Sequence, residues 1–303
     1  MQSSYYNVLR NKQLLATAQE NLVRSQKQLE RIQEQNRVGS VALADVYRQQ
    51  VQVGRDELTV IQSDNDVKNS LADLTFLIGL KVADEFDVEE QSVEMATDSV
   101  AIAEFRNKVS DYNRTLGQAI QTRADYQNAM EGKSYAEKGV TIARAGYYPS
   151  LNAFASYSWS DVVLADFINN IKNIYSFSYG LTLSIPILSN FRTSNAVQQA
   201  LVAEKNADDN LKQTERQIGV QIRKALNQLE TAEKNIETTK RNLLSTSEDL
   251  RIATERYNIG AGTLLDQVTA NAGYISAQSD KVNAIYNYLI TRKQIEYYIG
   301  NNN

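Results

Sequence analysis

Apolar positions along this chain follow two rhythms. From about Asn190 to Tyr257, small and apolar residues fall at Ala196, Ala200, Ala203, Ala207, Leu211, Thr214, Ile218, Ile222, Ala225 and Leu229, a series that repeats every 11 residues. It continues through Ala232, Ile236, Thr239, Leu243, Thr246, Leu250, Ala253 and Tyr257 with a period of 7. No proline and only one glycine, Gly219, interrupt it. The pattern predicts one helix, roughly 100 Å long at about 1.5 Å per residue. Its first part should pack as a straight wall and its second as a left-handed coiled coil. An ordinary coiled coil with a stutter would give the same series.

Between Pro149 and Pro186 the period becomes two. Leu151, Ala153, Ala155, Tyr157 and Trp159 alternate with Asn152, Phe154, Ser156, Ser158 and Ser160. Tyr175, Phe177, Tyr179, Leu181, Leu183 and Ile185 alternate with Ser176, Ser178, Gly180, Thr182 and Ser184. Two strands of roughly 10–12 residues follow, long enough to cross a bilayer when tilted. One face is aromatic and aliphatic and the other small and polar. Trp159 and Tyr175, beside the connecting segment 161–174, suit an interfacial girdle. The alternative is a water-soluble hairpin lying on a helical layer. The apolar stripes of the helices are already committed to each other, and a lone hairpin is barely stable. The membrane reading is therefore favoured, with the strand edges closed by other strands. Both prolines stand at helix–strand junctions, where a missing N–H and a fixed bend are useful.

The chain also repeats itself. Residues 21–79 align without a gap on 242–300, at a constant offset of 221. Asn21-Leu22 matches Asn242-Leu243, Leu29 matches Leu250 and Glu34 matches Glu255. Gly39, Leu43, Asp45 and Ile78-Gly79 match Gly260, Leu264, Asp266 and Ile299-Gly300. Each copy predicts helix, tight turn, helix. Gly39 and Gly260 supply the left-handed residue that ends the first helix. Ser40 or Thr263 is placed to cap the next, with Asp266 three residues after Thr263 as in a capping box.

Composition narrows the chemistry. There is no Cys and no His among 303 residues, which removes thiolate sites and the commonest general base and metal ligand. No convergent acid, base, nucleophile or metal cluster is legible, so no enzyme and no cofactor are expected. A net charge of −4 gives no reason to expect a nucleic-acid partner. No apolar run reaches the ~18 residues of a membrane-spanning helix. Pairs such as Glu30-Arg31 and Glu233-Lys234 read as solvated faces.

Three stretches carry a family resemblance. These are Ala143-Arg144-Ala145-Gly146-Tyr147-Tyr148-Pro149-Ser150-Leu151, Gly180-Leu181-Thr182-Leu183-Ser184-Ile185-Pro186-Ile187, and Arg256-Tyr257-Asn258-Ile259-Gly260 followed by Leu264-Leu265-Asp266. In that order the chain resembles the TolC-like outer-membrane efflux proteins over essentially its whole length. The resemblance implies a mainly α protein with a β-hairpin. Long antiparallel helices would form a trimeric α-barrel in the periplasm, and transmembrane β-barrel strands would cross the outer membrane of a Gram-negative bacterium. It implies a homotrimer that docks by its helical tips on a periplasmic adaptor (membrane fusion protein) and an inner-membrane transporter, with outer-membrane lipid around the strands. The function implied is a passive conduit for efflux or type I secretion; the competing reading is a soluble coiled-coil scaffold.

On that reading residues 1–80 are the first helical hairpin, with its tip near 37–42, and 81–112 an equatorial segment containing the acidic run Asp84–Glu90. Residues 113–146 are a tunnel helix, 147–188 the membrane hairpin, 189–300 the second helical hairpin with its tip near 258–263, and 301–303 a tail. The resemblance makes Asp45 and Asp266 a carboxylate ring at a pore constriction, attracting cations and resisting closure. An Asp in a first helical turn is favourable by itself, at about 0.3–1 kcal/mol. Val38, Gly39, Ser40, Ile259, Gly260 and Ala261 become adaptor contacts, although simple helix termination explains them equally. Thr269 and Gly262 stand where some relatives carry an acid and a base. Subtracting the offset from 147–188 gives −74 to −33, so a first β-hairpin, its leading helix and a signal peptide are expected upstream of Met1.

Overall fold

The structure is a computed structural model that describes residues 2–80, 86–88, 98–159, 175–188 and 190–300. Its elements are α1 (Gln2–Arg37), α2 (Leu43–Ile78), α3 (Ser99–Val109), α4 (Tyr112–Thr122), α5 (Ala124–Ala145), β1 (Ser150–Trp159), β2 (Tyr175–Ser184), α6 (Arg192–Asn258) and α7 (Leu264–Tyr298). They form two compact units, one of residues 1–123 with 218–303 and one of residues 124–217. The segment 161–174, the tail 301–303, much of the acidic run (Asp84, Glu85, Glu89, Glu90) and the Trp159 and Tyr175 side chains lie outside the described residues.

In the first unit α1 packs along α2 and along α7. Its main core gathers Val8 and Leu9 of α1, Leu74 of α2, Phe105 and Val109 of α3, Ala225 and Leu229 of α6, and Tyr288 and Ile295 of α7. A smaller cluster at the turns joins Ile32, Val46 and Leu264 with Leu29, Val41, Tyr257 and Val268. Between the two, polar residues are buried beside small apolar ones: Thr17, Asn21, Ser25 and Gln49 alongside Ala18 and Val53. The polar groups are paired, which makes the burial tolerable. The Gln49 amide donates to the Ser25 carbonyl at 3.0 Å and to its hydroxyl at 3.1 Å. The Asn271 amide donates to Asn21 at 3.3 Å and the Gln28 amide to Gln267 at 3.2 Å. An apolar seam tolerates slippage along the helix axis, whereas these directional bonds hold α1 at one height against α2 and α7.

Glu233 departs from the sequence expectation. It is 8% exposed rather than solvated, and Arg106 of α3 donates to its Oε2 at 2.6 Å. Buried carboxylates require such a partner, and the pair ties α3 to α6. Arg292 of α7 stacks over the Phe105 ring at 5.0 Å on the same helix α3. The stretch 113–146 is also two helices rather than one. Arg123 between them is extended (ψ 126°), with its guanidinium over Tyr298 at 5.5 Å.

In α6 the predicted stripe faces inward from Leu211 through Tyr257. Upstream it shifts: Ala196 and Ala203 are exposed and Val197 is buried. Burying Val removes more apolar surface than burying Ala. This stretch, 192–217, belongs to the second unit, where α5 is its neighbour. Lys133 of α5 meets Asp208 at 3.0 Å, and a Cβ on Gly146 would lie 3.0 Å from the Thr193 methyl.

The second unit also holds the β-hairpin. β1 and β2 pair antiparallel in the register Ser150↔Ser184 through Trp159↔Tyr175. The alternating residues therefore fall on common faces, with Tyr157 against Phe177, Ala155 against Tyr179 and Leu151 against Leu183. Tyr157, Phe177 and Tyr179 form an aromatic row with ring centroids 6.4 and 5.8 Å apart. Pro149 directly precedes β1. There α5 unwinds through three tight bonds, from Gly146, Tyr147 and Tyr148 N–H to Ala143, Arg144 and Ala145 carbonyls. β2 ends at Ser184, so Ile185 lies just past the strand, before Pro186.

Candidate functional site

The two helical turns are copies in atomic detail. Val38, Gly39 and Ser40 N–H donate to Glu34, Asn36 and Gln35 carbonyls. Ile259, Gly260 and Ala261 donate to Glu255, Tyr257 and Arg256, the same bonds at the same offset. This is the Schellman pattern that satisfies the last carbonyls of a helix. It requires a left-handed residue, supplied by Gly39 (φ 79°) and Gly260 (φ 74°). Geometry of this kind leaves the residue before the glycine at the apex. Val38 and Ile259 are accordingly 69% and 79% exposed, and Gly39, Ser40, Gly260 and Ala261 are exposed beside them.

The starts of the following helices differ. Thr263 caps α7: its hydroxyl accepts from Asp266 N–H at 3.1 Å, and Asp266 Oδ2 accepts from Thr263 N–H at 3.0 Å. The matching position before α2 is Ala42, which has no side-chain cap. The expected Ser40 cap is not made. The Ser40 hydroxyl donates backward to the Gln35 carbonyl at 2.9 Å, because the Schellman turn holds it over the end of α1.

The two matched aspartates consequently live in different surroundings. Asp266 is bound into its capping box. The Thr263 N–H and then the Thr263 hydroxyl hold its carboxyl below the usual carboxylate range, with a smaller contribution from Arg256. Asp45 is partly buried and accepts from Arg48 at 2.9 Å. Among the described residues no hydrogen bond joins Asp45 to Asp266. Asp45 is instead near Tyr257: burial first, and then the Asp45 charge, raise the Tyr257 hydroxyl above its ordinary value, against Arg31. In the sequence Tyr257 stood as the last residue of a helix stripe and as part of the turn stretch that carries the resemblance, with no sign of its contact with the first hairpin.

The β-hairpin forms a second surface. On one side Leu151, Tyr157, Phe177, Tyr179, Leu181 and Leu183 are all exposed, as is Ile185 beyond the strand. That is a contiguous apolar face of a kind rarely left to water. The other side is mostly Ser, Thr and Asn. No helix among the described residues is long and apolar enough to cross a membrane, and no group of three or more His, Cys, Asp or Glu converges among them.

A duplicated helical hairpin, closed by matched glycine turns and interrupted by a two-faced β-hairpin, is a fold shared with solved outer-membrane channels. The chain belongs to the outer membrane efflux protein family, whose model matches residues 115–301. It is 23% identical over 307 residues to the outer membrane protein TolC of Escherichia coli (strain K12), across 98% of this chain and 60% of that protein. The chain thus spans about 60% of the length of that curated relative. It is similar to the outer membrane protein VceC of Vibrio cholerae, with TM-score 0.71 and 18% identity over 98% of this chain and 68% of that one. The outer membrane channel CmeC of Campylobacter jejuni gives TM-score 0.72 and 18% identity over 98% and 61%. At these identities the likeness to the solved structures is one of fold.

Proposed function

We propose that this chain is the outer-membrane channel component of a tripartite efflux pump or type I secretion system, a passive conduit from periplasm to exterior. The observation that carries this reading is the β-hairpin. Its register puts an aromatic–aliphatic row on one face and small polar residues on the other, over strands of bilayer-crossing length. A coiled-coil scaffold in water gives no reason for that row. The names of the relatives support the same reading.

In this assignment Tyr175, Phe177, Tyr179, Leu181, Leu183 and Ile185 face outer-membrane lipid, and Pro149 and Pro186 mark the passage between membrane strand and periplasmic helix. Three copies join so that the strand edges find partners. The helical hairpins form the tunnel wall, and the 81–112 segment its equatorial band. The apex residues Val38, Gly39, Ser40, Ile259, Gly260 and Ala261 meet a periplasmic adaptor, which links to an inner-membrane transporter. Asp45 and Asp266 ring the periplasmic constriction; the lowered titration of Asp266 keeps that part of the ring charged across the physiological range. Energy comes from the transporter, and no residue of this chain performs chemistry.

Fractionation of cells expressing the gene tests the reading. The product should sediment with outer membranes, resist carbonate and salt washes, and come out in detergent as a trimer. Recovery as a soluble monomer without detergent contradicts it.

A further inference from the structure

The offset of 221 that relates the two copies also relates Val8 to Leu229, Lys12 to Glu233 and Leu74 to Ile295. Val8, Leu229, Leu74 and Ile295 are all buried in the main core. Lys12 and Glu233 thus share a place in the repeat but carry opposite charges. Each binds the stretch that follows the first hairpin, and each does so beside a phenylalanine. Lys12 forms an ion pair with Asp87 and donates to the Val88 carbonyl at 2.9 Å. Glu233 accepts from Arg106 at 2.6 Å. Phe105, just before Arg106, lies in the main core, and Phe86, just before Asp87, packs against it. The two ends differ in exposure: the Asp87 side chain is 75% exposed and that of Glu233 6%. The Lys12 ammonium, and then the Val88 N–H, hold the Asp87 carboxyl below the usual carboxylate range.

An apolar core built from equivalent positions discriminates poorly between its two halves, since burial is non-directional and a phenylalanine suits either half. Charge discriminates. We propose that Lys12 and Glu233 are a polarity key, two positioning residues that fix which end of the stretch from Phe86 to Val109 seats on which copy of the repeat. Seated in the reverse sense, Asp87 would meet Glu233 and Arg106 would meet Lys12. Like charges brought together penalise the wrong arrangement, so the choice rests on repulsion as well as attraction. An exposed pair such as Lys12–Asp87 adds little to stability, and selecting the seat is its larger effect. The buried Glu233 must keep its partner, which makes the Arg106 end the fixed one and the Asp87 end the one that opens first. The key lies within one copy of the chain and operates whether or not the chain forms a channel.

Amide hydrogen exchange of the full chain in detergent, read by mass spectrometry, tests the proposal by comparing the peptide around 86–88 with peptides of α3. Lys12→Glu should speed exchange around 86–88 about two- to fivefold and leave α3 unchanged. Lys12→Met, which removes the pair without adding repulsion, should speed it less. Lys12→Glu combined with Asp87→Lys should return most of the protection, because the pair is rebuilt with its sign reversed. The key is overturned if Lys12→Met loosens this end as much as Lys12→Glu, or if the double reversal is as loose as the single one; either result would make Lys12 a packing contact. Should the reversed variants fail to fold, the wild type decides. Raising salt from about 0.05 M to about 1 M should speed exchange around 86–88 and leave α3 protected, since its pair is shielded by burial. An equal response at both ends, or none at 86–88, overturns the proposal. None of these readouts needs a working channel, so failure of the key is distinct from failure of the channel reading.

Discussion

Four glycines adopt left-handed conformations, and their surroundings predict unequal sensitivities. Gly39, Gly79 and Gly260 have φ of 79°, 76° and 74° with open space where a Cβ would go. Gly300 has φ 74° too, but its Cβ would lie 2.4 Å from both Cβ and Oγ1 of Thr122. Gly79→Ala should therefore cost only the left-handed backbone term, about 1–2 kcal/mol. Gly300→Ala adds overpacking of about 1–3 kcal/mol, for a total of roughly 2–5 kcal/mol. The two positions are equivalent in the repeat, so Gly79→Ala is an internal control for backbone conformation. Thr122→Ala should rescue poorly, since its Cβ is itself one of the clashing atoms; Thr122→Gly should restore most of the space, though not the helix propensity. Urea unfolding of the detergent-purified protein, followed by helical circular dichroism, would measure each. Equal destabilisation by Gly79→Ala and Gly300→Ala would refute the steric reasoning.

Three further outcomes are expected. Thr263→Ala should destabilise by about 1 kcal/mol and speed amide exchange in the first turn of α7, whereas Ala42→Thr should gain a few tenths to 1 kcal/mol by giving α2 the cap it lacks. Arg106→Ala should destabilise by about 1–3 kcal/mol, because it leaves the Glu233 carboxylate buried and unpaired; Arg106→Met with Glu233→Met should recover much of the loss in the same urea titration. The capping box at Asp266 should persist above the ordinary carboxylate range and fail as pH falls below it. A depressed folded-state value means that its contribution is complete above the unfolded value, near 3.9, and is lost as Asp266 protonates at lower pH; carboxyl chemical shifts in a pH titration should show a midpoint below that value.

Long-period features were legible in the sequence because they rest on side-chain volume and backbone conformation alone. The duplicated turns, the inward stripe from Leu211 to Tyr257 and the strand alternation are of this kind. What escaped was set by neighbours distant in sequence. Glu233 looks like a solvated charge until α3 brings Arg106 to it. Ser40 looks like a cap until the turn geometry points it backward. Val197 is buried where the period predicts Ala196. Thr17, Asn21, Ser25 and Gln49 are polar yet buried: Thr17 donates to the Gln13 carbonyl of its own helix, and the other three find partners on neighbouring helices. At the tips the two aspartates were visible, but the different bonding of Asp45 and Asp266 follows from Ala42 standing where Thr263 caps the second copy. The alternation placed Phe154 among small polar residues, and the strand register sets it opposite Gly180.

The most direct test of the channel account uses the absence of cysteine from the chain. Single substitutions Ser178→Cys and Tyr179→Cys place thiols one residue apart on opposite faces of β2. In outer membranes, a water-soluble maleimide should label Ser178→Cys and not Tyr179→Cys, and a bilayer-dissolved maleimide should show the reverse preference. Equal labelling of both positions by the water-soluble reagent would contradict the placement of this hairpin in a membrane barrel.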